Sequence, residues 1–428
     1  MLVQGVSPRR TLRPAYGVLV CAFAGCGTEI SPIGGSGSRP QLDANTSSTY
    51  YESSSNDLLD LAEPIAWNND IEVISGKISS SDDVDVYDLG PVVAGDHVVV
   101  TMAPDAELNA AVALFDGSGD TLLVNDHRNV YLGRQGPFID VVIRRPSEAC
   151  YVAVATTPGF SGVGEYLLGT SIDVQTPLPD PRPDVVVLDF DAERGVRVGS
   201  RPVIDVPDFD AVDISADYSG MTDEIVRLVV EMVREDFEGL DVTILSTSEG
   251  VRPEKTMSRV HFGVFDAALL GVAEGVDEYN AASGQAAIVF TDTFEAFMQL
   301  HPSAEEIAKA IANVASHEIG HLLGLVHTED PDDLMDVTAS LRELMVDQDF
   351  RRAPIYEAVF PIGDQDSLQM LLDSVGGDAS VARGMRESRD RMKVRVEDGG
   401  GSPARKATML GGCGLPEVGR SGSSPTSR

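Results

Sequence analysis

His317-Glu318-Ile319-Gly320-His321-Leu322-Leu323-Gly324-Leu325-Val326-His327 is the stretch that decides how this chain is built. It ends a segment with a clear helical start, the capping box Ser303-Ala304-Glu305-Glu306 after Pro302. Ile307, Ile311, Val314 and Leu322 give that helix an apolar stripe. His317 and His321 lie four apart, so both imidazoles leave the same face within reach of one ion. Glu318 falls on the adjoining edge, close enough to touch a water beside that ion without ligating it. Gly324 permits the sharp backbone turn that ends the helix, and the chain can double back to deliver His327. Three imidazoles leave one tetrahedral position open, which is the layout of a catalytic zinc and not of a structural one.

Working outward, residues 185–377 read as one α/β domain. Val185-Val186-Val187-Leu188-Asp189-Phe190 is a strong strand, and Val242-Thr243-Ile244-Leu245 is a second. Ile225, Val226, Val229, Val233 and Phe237 mark one face of a helix over 221–237. Val260 to Val264 and Ala287 to Phe290 are two more strands.

With its five fixed positions, the eleven-residue pattern resembles the signature of the metzincin clan of zinc metalloproteases. In that clan a methionine turn lies beneath the metal. Leu334-Met335 supplies it here, at the spacing of the matrixin branch. Asp336-Val337 stand where matrixins carry Tyr-Pro, and Thr328 where they carry Ser. Gln365-Asp366-Ser367-Leu368-Gln369-Met370-Leu371-Leu372 resembles the closing helix of matrixin domains. The resemblance implies a zinc endopeptidase acting on extracellular protein or peptide substrates, with His317, His321 and His327 as metal ligands and Glu318 as general base. The alternative is a catalytically inactive zinc-binding surface protein whose N-terminal domain binds a partner. Cys413-Gly414-Leu415-Pro416-Glu417 resembles the matrixin cysteine switch, which implies a latency thiol at Cys413; a lone tail cysteine or a Cys150–Cys413 disulfide are the competing readings.

Residues 57–172 read as a β-sandwich, with short runs such as Val84-Asp85-Val86-Tyr87 and His97-Val98-Val99-Val100 separated by turn signals. Asp83 to Tyr87, Leu114 to Asp126 and Gly164 to Leu167 resemble the bacterial pre-peptidase C-terminal domain. The expected fold class is therefore multidomain: an all-β sandwich followed by an α/β (α+β) metzincin-like protease domain. Residues 173–184 carry Pro177, Pro179, Pro181 and Pro183, a semi-rigid linker expected to separate two independent cores.

At the N-terminus, Arg9, Arg10 and Arg13 precede a short apolar run, so 1–26 reads as an export signal. The run closes on Phe23-Ala24-Gly25-Cys26, which resembles a bacterial lipoprotein signal and implies lipidation at Cys26; an ordinary cleaved signal is the other reading. Both imply export, to the bacterial cell surface or outer membrane as a lipoprotein, or into the medium. Residues 27–56 read as a Ser/Gly-rich flexible tether and 378–428 as a disordered basic tail. The 428-residue chain carries a net charge of −36, which disfavours nucleic acid and anionic membrane surfaces as partners. A monomer is expected. Acidic loops can hold calcium, and Asp330, Asp332 and Asp333 are the candidates, against a plain solvated loop.

Overall fold

In the computed structural model, residues 50–52, 56–67, 71–126, 136–174 and 176–384 are described. The signal reading over 1–26, nearly all of the tether and the tail beyond 384 lie outside the described residues, and with them Cys26 and Cys413.

The N-terminal half is a sandwich of two five-stranded sheets. The first sheet runs β1-β3-β10-β5-β8, built from β1 (Tyr50–Tyr51), β3 (Ile71–Ile78), β5 (His97–Pro104), β8 (Phe138–Val142) and β10 (Gly164–Asp173). The second runs β2-β4-β9-β6-β7, from β2 (Glu63–Pro64), β4 (Val84–Asp88), β6 (Ala110–Asp116), β7 (Thr121–Asn125) and β9 (Cys150–Thr156). Ile74, Val98, Val100, Ile139 and Leu168 from one sheet meet Tyr87, Val112, Leu114, Val152 and Val154 from the other. These positions alternate along their strands, as a strand with one core-facing side requires. Cys150 is a buried thiol of this layer with no disulfide partner among the described residues, and burial pushes it up to about 12.

The C-terminal half is a five-stranded sheet flanked by helices. Its order is β14-β11-β15-β17-β16, with β11 (Asp184–Asp189), β14 (Val242–Ser246), β15 (Ser258–Phe262) and β17 (Ala286–Val289) parallel and the edge strand β16 (Gly271–Ala273) antiparallel. Helices α1 (Thr222–Asp236) and α2 (Ala304–Leu322) cover one face. Ile225, Val229 and Val233 of α1 and Ile307, Ile311 and Ile319 of α2 pack there on Val186, Leu188, Val260 and Phe262. The hairpin of β12 (Glu193–Val196) and β13 (Ile204–Val206) covers the opposite face, where Val196 and Val206 meet Ile288 and Phe290. A second hairpin, β18 (Arg352–Pro354) with β19 (Asp364–Asp366), leads into α3 (Ser367–Val375).

The expectation of two independent cores does not hold. The outer face of the second sandwich sheet (Val84, Val86, Ala111, Ala113, Phe115, Ala153, Ala155) shares one apolar cluster with Ile355 and Phe360 of the C-terminal half. The rings of Phe115 and Phe360 lie 5.9 Å apart. Around this patch, Arg352 bridges Asp120 at 2.6 Å and Asp364 at 2.9 Å, and Arg145 bridges Asp373 at 2.9 Å. The proline linker is itself seated: the Arg182 amide donates to Ser374 O, and Arg144 donates to Pro179 O. The fold also continues past residue 377. Asp378 caps a helical turn over 379–384 through Ser380 and Val381, and Ala382 is buried in the main core, so 378–384 are folded where a disordered tail was expected.

Candidate metal centre

Helix α2 begins as its sequence directs, with Ser303 and Glu306 forming a reciprocal capping box. At its far end His317 and His321 leave the same face. Leu323 closes the helix, and Gly324 turns the chain at a φ of +105°, a left-handed region open to glycine. A side chain there would press on Asp277 O at 3.0 Å. The turn brings His327 back to the helix.

The three imidazoles converge. His321 Nε2 lies 3.1 Å from His317 Nε2 and 3.0 Å from His327 Nε2. Backbone carbonyls fix the tautomers: His317 Nδ1 donates to Leu334 O at 2.7 Å, and His321 Nδ1 donates to Leu325 O at 2.8 Å. A carbonyl only accepts, so each Nδ1 carries the proton and each Nε2 presents a lone pair. Burial, helped by the neighbouring imidazoles, holds His317 down to about 3 and His327 well below the usual range; burial alone holds His321 to about 4. These rings are neutral at physiological pH. Lone pairs facing one another at this separation repel without a cation between them. A tetrahedral zinc with bonds of about 2.0–2.1 Å sets its nitrogens about 3.3 Å apart, close to what is found. The donor set therefore fits zinc.

Glu318 is 5 % exposed and lies against the edge strand β16. The Ala273 backbone amide donates to its carboxylate, while burial outweighs this and pushes the group up to about 8. Gly271 leaves room for it, since a Cβ there would collide with Glu318 Oε1. Met335 is fully buried beneath α2, and a Cβ on Gly320 would come within 2.5 Å of its sulfur, so glycine in the signature lets the methionine turn approach. Asp336, which follows, turns away to Thr338, accepting from its amide at 2.9 Å and its hydroxyl at 2.7 Å.

Sequence reasoning missed two residues that position the site. Gln365 grips the segment before His327 on both sides: the Val326 amide donates to its Oε1 at 2.8 Å, and its Nε2 donates to Val326 O at 2.9 Å. Asp333, read as part of a candidate calcium loop, is fully buried. It accepts from Thr328 Oγ1 at 2.7 Å, the Arg351 amide at 2.9 Å and Ser367 Oγ at 3.3 Å. It thus ties the third-ligand segment to α3, and its oxygens are spent on protein donors. Asp330, Asp332 and Asp333 do not form a convergent donor group among the described residues. The one usable signal was position, since Asp333 directly precedes the buried pair Leu334-Met335.

Residues 261–351, which include the signature and the methionine turn, match the family described as Matrixin. The chain carries a matrixin-type zinc metallopeptidase domain. No curated protein matches the chain. Among solved structures, the chain is similar to archaemetzincin from Methanopyrus kandleri at 17% identity, covering 39% of this chain and 87% of that one, with a TM-score of 0.23. It is also similar to metalloproteinase-II from Bacteroides fragilis at 16% identity, covering 39% and 50%, with a TM-score of 0.22. A third similarity is to the pre-peptidase C-terminal domain of collagenase from Bacillus anthracis at 19% identity, covering 26% and 94%, with a TM-score of 0.20. In the matrixin-type domain α2 supplies two ligands and the general-base candidate, and the turn at Gly324 supplies the third ligand.

Proposed function

We propose that the protein is an exported zinc endopeptidase in which Glu318 is the general base. The observation that carries this reading is the convergence of three imidazole lone pairs beside a buried carboxylate at the sheet edge. His317, His321 and His327 would hold zinc, which would supply Lewis acidity to the scissile carbonyl and the attacking water. Glu318 takes the proton of the attacking water and passes it to the leaving amine. Strand β16 is the open edge of its sheet, so a substrate can pair with it as an added extended strand. Pairing of that kind needs no free chain end, which favours cleavage inside a polypeptide. The N-terminal reading adds export, with Cys26 as a lipid anchor, and the Cys413 motif adds a latency thiol.

The test is proteolysis of unfolded casein by the purified protein, with zinc content measured in parallel. We expect Glu318→Gln to keep its zinc and lose at least about 10²-fold in turnover. His321→Ala should lose both zinc and activity. Full activity in Glu318→Gln would assign the proton transfer to another group. A zinc-loaded parent with no activity would leave the binding-protein alternative standing.

A further inference from the structure

The face of the catalytic sheet opposite α2 holds a second cluster of donors. His261 alternates along β15 with Val260 and Phe262, which pack under the helices, so its imidazole projects to the other side. Asp189, the last residue of β11, is its register partner and shares that side. Glu193 opens the hairpin laid over this face. Ligand atoms of Asp189, Glu193 and His261 all lie within 4.8 Å of one another.

The cluster is unfinished as a protein-only arrangement. His261 is 3 % exposed and Asp189 4 %, yet His261 Nδ1 has no hydrogen-bond partner. Its nearest carboxylate oxygen, Asp189 Oδ2, stands 3.7 Å away, beyond hydrogen-bond range. Asp189 accepts a long bond of 3.3 Å from the Asp191 amide. Glu193 is partly exposed and holds Arg259 at 2.7 Å through one oxygen, Oε2. Its other oxygen is free to turn inward. A buried imidazole nitrogen without a partner, beside a buried carboxylate, is costly to keep dry.

We propose that Asp189, Glu193 and His261 hold a second divalent cation of the zinc class. One imidazole with two carboxylates suits zinc and its borderline neighbours, whereas calcium and magnesium prefer oxygen alone. The cation draws the donors together from their present spacing, and rotation of the Glu193 side chain closes the set. Arg259 stays on the outer oxygen of Glu193 and offsets part of the negative charge, with Asp191 the further acidic group at the rim. The site joins the first strand of the sheet, the hairpin over it and the third parallel strand. It pins one side of the sheet while the histidine triad occupies the other.

The experiment is equilibrium dialysis of the full chain against zinc, with bound metal counted per folded chain and folding checked by circular dichroism. The parent should hold two equivalents. His261→Ala should hold one, His321→Ala should also hold one, and Glu193→Gln should weaken the second equivalent about tenfold or more. Glu193→Gln alters a partly exposed side chain and serves if His261→Ala does not fold. If the parent holds only the equivalent that His321→Ala loses, the proposal is overturned. It is also overturned if a second equivalent survives His261→Ala undiminished or, where that variant fails to fold, if Glu193→Gln leaves its affinity unchanged. Failure of the triad reading would look different: one equivalent in the parent, retained in His321→Ala and lost in His261→Ala.

Discussion

The two sheets of the sandwich differ in what lies behind them. In β5 of the first sheet, buried and half-buried residues alternate, and the outward face carries the His97–Asp140 pair and Thr101. In β4 and β6 of the second sheet, four and six residues in succession are buried. An antiparallel sheet ordinarily keeps one face in water. This one has lost that face to the catalytic half. Its outward positions are small (Ala111, Ala113, Ala153, Ala155), which lets a second layer approach closely around the larger Phe115. The lesson is that one sheet closes a domain while the other joins two.

Removing the partner altogether is the severest way to break this comparison. Residues 184–384 produced alone would expose Val326, Ile355, Val359, Phe360 and Ile362 as one apolar patch. We expect aggregation and loss of bound zinc relative to residues 50–384, read by gel filtration and metal content. A monomeric, zinc-loaded fragment with an unchanged melting temperature would restore the picture of independent cores. A single change at the seam should cost less. Phe360→Ala removes a fully buried ring and should destabilise the protein by about 3–5 kcal/mol in denaturant titration. A cost near zero would mean that the seam contributes no packing energy. On the wet face of the first sheet, Val99→Thr should stay within about 0.5 kcal/mol of the parent by the same measurement. A large loss there would show that this face is covered as well.

Much of the metal centre was legible because its logic is local. The four-residue spacing of His317 and His321, the capping box and Gly324 lie within one helix and its turn. The parallel strands were legible for the same reason, as apolar runs in β11, β14, β15 and β17. The seam was not, because an alanine that faces another domain looks the same in sequence as one that faces water. The hairpin of β18 and β19 carries Arg-Ala-Pro and Asp-Gln-Asp, with no alternation to announce a strand. Asp333 sat in an acidic run that reads as solvated, and its burial depends on partners at Arg351 and Ser367. Asp189 and His261 come together only through strand register, and Glu193 joins them from the hairpin laid over the sheet.

Two hydrogen bonds tie the Gln365 side chain to the Val326 backbone. The hairpin that holds Gln365 also pairs with the sandwich, where the Asp364 amide donates to Gly119 O and Thr121 Oγ1 donates to Asp364 O. The third metal ligand and the seat of the N-terminal half therefore share a single strip of backbone. Binding free energies that share a conformational element are reciprocal. Whatever the sandwich adds to the affinity of His327 for its ion, the ion returns in equal measure to the grip on the sandwich.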